Sequence, residues 1–176
     1  MIKNLIFLSI AVILFSCTSP QQEKVKKINE LEASVFDSSR LSLNKNVANE
    51  LVGKYEEYAN EYKTDTASPM YLFKAGELSM SLNDGMNAMK LYKKVEQEFP
   101  DYKKVSVSIF LQAFLYENYL NDKENAKRLY NTFISKYPNH ELVKDAKASL
   151  ENIDIPLEDL IKKFEEKSAK DSTVNM

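Results

Sequence analysis

The sequence predicts an all-α fold: a short right-handed stack of helical hairpins. Three observations predict it. The stretch from Leu72 to Pro138 is one hairpin written twice. At an offset of 38 residues, Ala75 falls on Ala113, Leu82 on Leu120, Asn83-Asp84 on Asn121-Asp122, Asn87-Ala88 on Asn125-Ala126, Leu91-Tyr92 on Leu129-Tyr130 and Pro100 on Pro138. A fixed offset of this size marks a helical repeat array. Within each copy the apolar residues recur at helical spacing, as in Ala88, Leu91, Tyr92, Val95 and Phe99. The breakers are sparse, with three glycines and five prolines in 176 residues, and two of the prolines close the two copies.

In chain order, residues 1–16 read as a targeting segment. Lys3 is its positive flank, and Leu5 to Phe15 is an apolar run. A membrane-crossing helix needs about 20 such residues; this run has the length of a secretory h-region. Its end, Leu14-Phe15-Ser16-Cys17, resembles a bacterial lipobox, with an aliphatic residue three before the only cysteine and a small one just before it. That resemblance implies lipidation of Cys17. Thr18 is not acidic, which by the sorting rules of such lipoproteins favours the outer membrane. Residues 17–43 then hold the lipidated cysteine, a polar tether (Thr18 to Gln22) and a short segment, Lys24 to Asp37. Val25, Ile28, Leu31 and Val35 give that segment one apolar face, so it is a helix or a partly ordered linker.

Residues 44–153 hold the repeats. Asn44 or Asn46 caps the first helix. Leu51, Tyr55, Tyr58 and Tyr62 correspond to Ala88, Tyr92, Val95 and Phe99, so this is the second helix of a degenerate preceding repeat, with Lys63 in place of the proline. Ser68 is expected to cap the next helix, with Pro69 at its first position. That helix runs from about Pro69 to Leu82. Asn83-Asp84-Gly85 turns the chain and caps its partner, which ends at Phe99-Pro100 because proline disfavours helical conformation in the residue before it. The second hairpin runs from about Val105 to Leu120, turns at Asn121-Asp122-Lys123 and continues to Lys136. A further helix, about His140 to Ile153, covers it. Residues 154–176 form an amphipathic capping helix, through Leu157, Leu160, Ile161 and Phe164, and a frayed tail.

At these residues the chain resembles the tetratricopeptide repeat family, whose unit is about 34 residues long. In the first copy Leu72, Ala75, Gly76, Ala88, Tyr92, Val95 and Pro100 match its pattern of bulky, small, aromatic and terminal proline residues; in the second, Phe110, Ala113, Ala126, Tyr130, Phe133 and Pro138 do. Ser79 and Glu117 stand where an aromatic is usual, and Phe114 where a small residue is usual. The four-residue excess fits a longer loop at Asp101 to Lys104. More narrowly, the lipobox followed by such repeats resembles two envelope groups: the tetratricopeptide lipoprotein of the outer-membrane β-barrel assembly machine and the periplasmic coordinator of the Tol–Pal system.

Charge and composition bound the function. The net charge of −2, with both signs interspersed, argues against nucleic acid as a partner. One Cys and one His make neither an internal disulfide nor a Cys/His metal site. No phosphate loop, nucleophile elbow or zinc-protease motif occurs. His140 reads as a solvated residue at a helix start. The expectation is a non-enzyme without metal or cofactor.

The family resemblance implies a concave groove lined by Met70, Phe73, Glu77 and Met80, then Ser108, Leu111, Leu115 and Asn118, with Lys74 and Gln112 at its edge. A peptide is expected to dock on Phe73, Leu111 and Leu115, oriented by Lys74 and Glu77, unless the protein's own termini fill the groove. The implied function is a lipid-anchored periplasmic adaptor for envelope proteins, held to the membrane by its lipid. Two alternatives stand beside it: an accessory subunit of an envelope enzyme acting on peptidoglycan or lipid, and a structural protein that self-associates through Tyr55, Tyr58 and Tyr62.

Overall fold

Two asparagines set the hairpins. Asn83 and Asn121, equivalent in the two copies, adopt positive φ values of 63° and 50°. Asparagine tolerates this left-handed conformation better than most residues do. The reversal lets the next residue cap the following helix. Asp84 accepts from the Asn87 amide and Asp122 from the Asn125 amide, both at 3.0 Å.

The computed structural model describes residues 19–36, 43–156, 158–163 and 165–166. Its helices are α1 (Pro20–Val35), α2 (Lys45–Glu61), α3 (Ser68–Ser81), α4 (Gly85–Glu98), α5 (Val105–Asn118), α6 (Lys123–Lys136) and α7 (Val143–Asn152). Residues 158–163 and 165–166 are also helical, and no strand occurs among the described residues. Each helix packs chiefly on the one before and the one after it. The fold is a stack of consecutive helical hairpins, α1–α2, α3–α4 and α5–α6, with α7 closing on α6. None of the described helices is long and apolar enough to cross a membrane. The targeting segment, Cys17, Leu157, Phe164 and the C-terminal tail lie outside the described residues.

The turns between hairpins share one backbone pattern. The Asp65 amide donates to the Tyr62 carbonyl and the Ser68 amide to that of Asp65; Tyr102 and Phe99, then Val105 and Tyr102, repeat it, as do His140 and Tyr137, then Val143 and His140. Lys63 therefore occupies the same turn as the prolines of the later copies. Ser68 is not the cap of α3. It lies inside the helix, and its hydroxyl donates to the Tyr62 carbonyl at 2.6 Å. Ala67 occupies the cap position with no side-chain capping bond, and Asp65 closes the turn before it by accepting from the Ala67 amide at 2.7 Å. Asn44 is the cap of α2, accepting from the Asn46 and Val47 amides.

Repeat spacing places the first repeat helix at residue 44; the structure adds a partner before it. The segment read as either helix or linker is a capped helix, α1. Ser19 and Gln22 close a reciprocal capping box, and Pro20 occupies the first turn. Ile28, Leu31 and Val35 are buried against α2. Polar contacts fix the register. Gln21 donates to the Tyr58 hydroxyl at 2.7 Å and to Asp65 at 2.5 Å. Lys24 pairs with Glu57 and, at 3.0 Å, with Glu61.

The core is a column of equivalent residues. Tyr55, Tyr92 and Tyr130 are each fully buried, as are Leu51, Ala88 and Ala126. Gly76 lets α4 approach α3, because a Cβ there would lie 2.6 Å from the Tyr92 ring. Buried aromatics of this size dominate core energetics, and truncation to alanine costs about 3–5 kcal/mol. Tyr55 and Tyr58 are covered by α1 and α3 rather than exposed at an N-terminal edge. Tyr55 stacks on Tyr71 at 5.3 Å, and Tyr58 meets Tyr71 edge-on at 4.8 Å. Two of the three tyrosines expected to join two copies are thus interior, and Tyr62 is half-buried. His140 is half-buried at the start of the turn into α7: one side of its ring packs edge-on against Phe133 at 5.2 Å, and its Nδ1 accepts from the Leu142 amide.

Candidate functional site: a trough along the third helix

Four groove residues, Met70, Phe73, Lys74 and Glu77, recur at three- and four-residue spacing, so α3 presents them on one face. The structure brings these four together and adds Thr66, Tyr102, Lys103 and Lys104 from the flanking turns. The eight residues line a recess of about 390 Å³. A second recess of about 200 Å³ is lined by Phe36, Tyr55, Lys74, Glu77, Leu78 and Ser81. Lys74 and Glu77 line both, so the two form one trough along α3, running from Phe36 to Lys104.

The floor is aromatic and rigid. Phe73 is only 2% exposed. Its ring packs 5.5 Å from Tyr92 and 6.5 Å from Tyr102, and the Lys104 ammonium sits 4.3 Å above it. The walls are charged. Lys74 bridges to Glu32 of α1 at 2.7 Å, and Glu32 also accepts from the Tyr55 hydroxyl at 2.5 Å. This triad ties α1 to the trough and fixes Lys74 in place. Burial, then the hydrogen bond to Glu32, pushes the Tyr55 hydroxyl well above its ordinary pKa. Burial, with a smaller contribution from the Glu77 charge, pushes Tyr92 well above its ordinary value and raises Tyr102. Glu77 itself is exposed. At the far end Phe36 is 66% exposed, a large apolar side chain open to solvent.

The remaining groove candidates do not line either recess. Met80 turns its sulfur to the Tyr92 hydroxyl, which donates to it at 3.5 Å. On α5, Ser108, Gln112 and Leu115 are buried. The Ser108 hydroxyl donates to the Lys104 carbonyl, and Gln112 donates to Glu96 of α4 at 2.8 Å. Leu111 is half-buried and Asn118 exposed. The structure corrects the expectation here: Phe73 forms the floor rather than a protruding anchor, and Leu115 has no surface to offer. The physical reason lies in the composition of α5. Valine, isoleucine, leucine and phenylalanine surround it almost completely, and a helix apolar all round is buried on several sides at once.

Phe36, Tyr102, Lys103 and Lys104 are absent from the groove as implied by the resemblance. Three of them carried a signal. They sit in the four-residue excess of the repeat period, and the longer loop folds over the edge of α3.

A family model for the tetratricopeptide repeat matches residues 108–140. The fold is a tetratricopeptide-type solenoid. That match falls on the α5–α6 hairpin; α3–α4 repeats its Asn-Asp turn, and α2 and α4 repeat its buried tyrosine. A repeat of this kind points to protein–protein interaction. No curated protein matches the chain. Among the described residues no three His, Cys, Asp or Glu side chains converge as a metal site requires, and no buried side-chain polar atom is left without a partner.

Proposed function

We propose that this protein is a non-catalytic adaptor of the bacterial envelope, anchored to the outer membrane by a lipid on Cys17 and facing the periplasm. The trough along α3 holds a segment of a partner protein. One observation carries the reading: an open trough whose aromatic floor is preorganised by packing and whose walls present both charge signs. Apolar contact on Met70 and Phe36 supplies binding energy, while Glu77, Lys103 and Lys104 set the direction of the docked segment. Lipid confinement raises the effective concentration of the repeats for membrane-proximal partners, so a modest grip suffices. The resemblance to envelope repeat lipoproteins makes outer-membrane protein assembly the pathway to test first.

The test is in-cell crosslinking with a photoreactive residue at Met70 or Phe36 of the lipidated protein. Both side chains reach solvent without being core members. A discrete captured protein, lost in the Glu77→Lys and Lys104→Glu variants, is the expected result. Capture unaffected by both charge reversals, or capture of only the protein's own residues, overturns the trough as the partner site.

A further inference from the structure

The chain enters the stack at a definite place. The capped start of α1 lies beside the end of α2 and the turn that follows it, because Gln21 reaches Tyr58 and Asp65, and Lys24 reaches Glu57 and Glu61. Successive helices alternate in direction, so the turns before α3, α5 and α7 all lie at this same end. Two broad recesses open here. One, of about 660 Å³, lies between the turn at Lys63 to Thr66 and the turn at Phe99 to Lys103. The other, of about 530 Å³, is lined by Gln21, Tyr62, Lys63 and Asp65 among others. The opposite end carries Phe36, the exposed Met86 and the turns after Asn83 and Asn121.

Cys17 stands two residues before Ser19, the cap of α1. Two residues span at most about 7 Å. Such a short reach would hold a lipid on Cys17 close to a helix that is locked into the stack. We infer that this turn end is the membrane-facing surface of the protein, its partner a phospholipid headgroup layer, and that the opposite end points away from the bilayer. The inference rests on the lipid anchor proposed above and deepens it. Lys63, Lys103 and Lys104 then lie within about a Debye length of the headgroups, close enough to feel an anionic surface. The trough stands upright, its Lys104 end near the bilayer and its Phe36 end outward. A partner segment is led from the membrane surface to the distal tip.

The experiment uses the full lipidated protein in phosphatidylethanolamine–phosphatidylglycerol vesicles. Cys17 is the sole cysteine and the lipid occupies its sulfur, so Lys63→Cys and Met86→Cys each accept one fluorophore. Helix α4, with 14 residues, separates the two ends by about 21 Å. A lipid with a spin-labelled headgroup serves as a short-range quencher. The expected result is at least fivefold stronger quenching at position 63 than at position 86. Equal or reversed quenching in vesicle-bound protein overturns the orientation and leaves the anchor standing. Absence of a lipid adduct on Cys17 by intact mass, with no flotation alongside vesicles, overturns the anchor and the orientation together.

Discussion

Glycine separates two kinds of position in this chain. At Gly76 an added Cβ would meet the Tyr92 ring at 2.6 Å and 2.8 Å. Tyr92 is fully buried and cannot swing away. At Gly53, on the exposed face of α2, an added Cβ would meet nothing within 4 Å. Gly76→Ala is therefore expected to lower stability by about 1–3 kcal/mol through overpacking. Gly53→Ala should raise it by up to about 1 kcal/mol, since alanine has the better helix propensity. Urea unfolding of both variants checks the pair; a stabilising Gly76→Ala would show that the α3–α4 seam has slack. The small residue at Gly76 was legible in the sequence because the repeat pattern asks for one. The solvent exposure of Phe73 and Leu115 was not. Helical spacing says which residues share a face, and it cannot say whether a loop or the next hairpin then covers that face. Tyr102 and Lys104 do so at Phe73, and packing on both sides of α5 does so at Leu115.

At the scale of elements, the duplicated hairpin gave α3 to α6 with boundaries within two residues, because each turn carries its own chemistry in Asn83-Asp84, Asn121-Asp122 and the closing prolines. Helix α1 was ambiguous, since it has no twin at a fixed offset. A short charged amphipathic segment is only marginally helical alone, and tertiary burial of Ile28, Leu31 and Val35 decides its state. It covers the face of α2 that holds Leu51, Val52 and Tyr55, and it positions Lys74 through Glu32. A protein beginning at residue 43 loses that cover. It is expected to bind a hydrophobic dye and to self-associate in sedimentation with rising concentration, whereas the protein containing α1 stays monomeric. Monomeric behaviour of the truncated form would mean that α1 is an accessory to the stack rather than its terminal cap. A stack needs such a cap because each repeat leaves one apolar face for its neighbour.

For the whole molecule, the column of buried tyrosines makes stability depend on pH at the alkaline end. Burial is the largest cause raising the Tyr55, Tyr92 and Tyr130 hydroxyls above their ordinary value of 10.0, helped by the carboxylates of Glu32, Glu77 and Glu117 respectively. In the unfolded chain these groups ionise near that ordinary value. Above it the unfolded state binds fewer protons than the folded one, so stability must fall as pH rises. The contribution is complete below about pH 10 and is lost as pH climbs toward the folded values. Three such groups give a slope of up to about 4 kcal/mol per pH unit. Against a total stability of about 5–15 kcal/mol, that slope brings on unfolding within a few pH units of 10. The expected signature is a cooperative loss of helicity above pH 10, coinciding with a late fraction of tyrosinate absorbance. Tyr130→Phe removes one ionisable group and should move the midpoint to higher pH, although it also gives up the 2.7 Å hydrogen bond to Glu117. Tyrosinate absorbance that is complete before helicity declines would show that the three hydroxyls reach solvent in the folded state. The column would then be looser than its packing indicates.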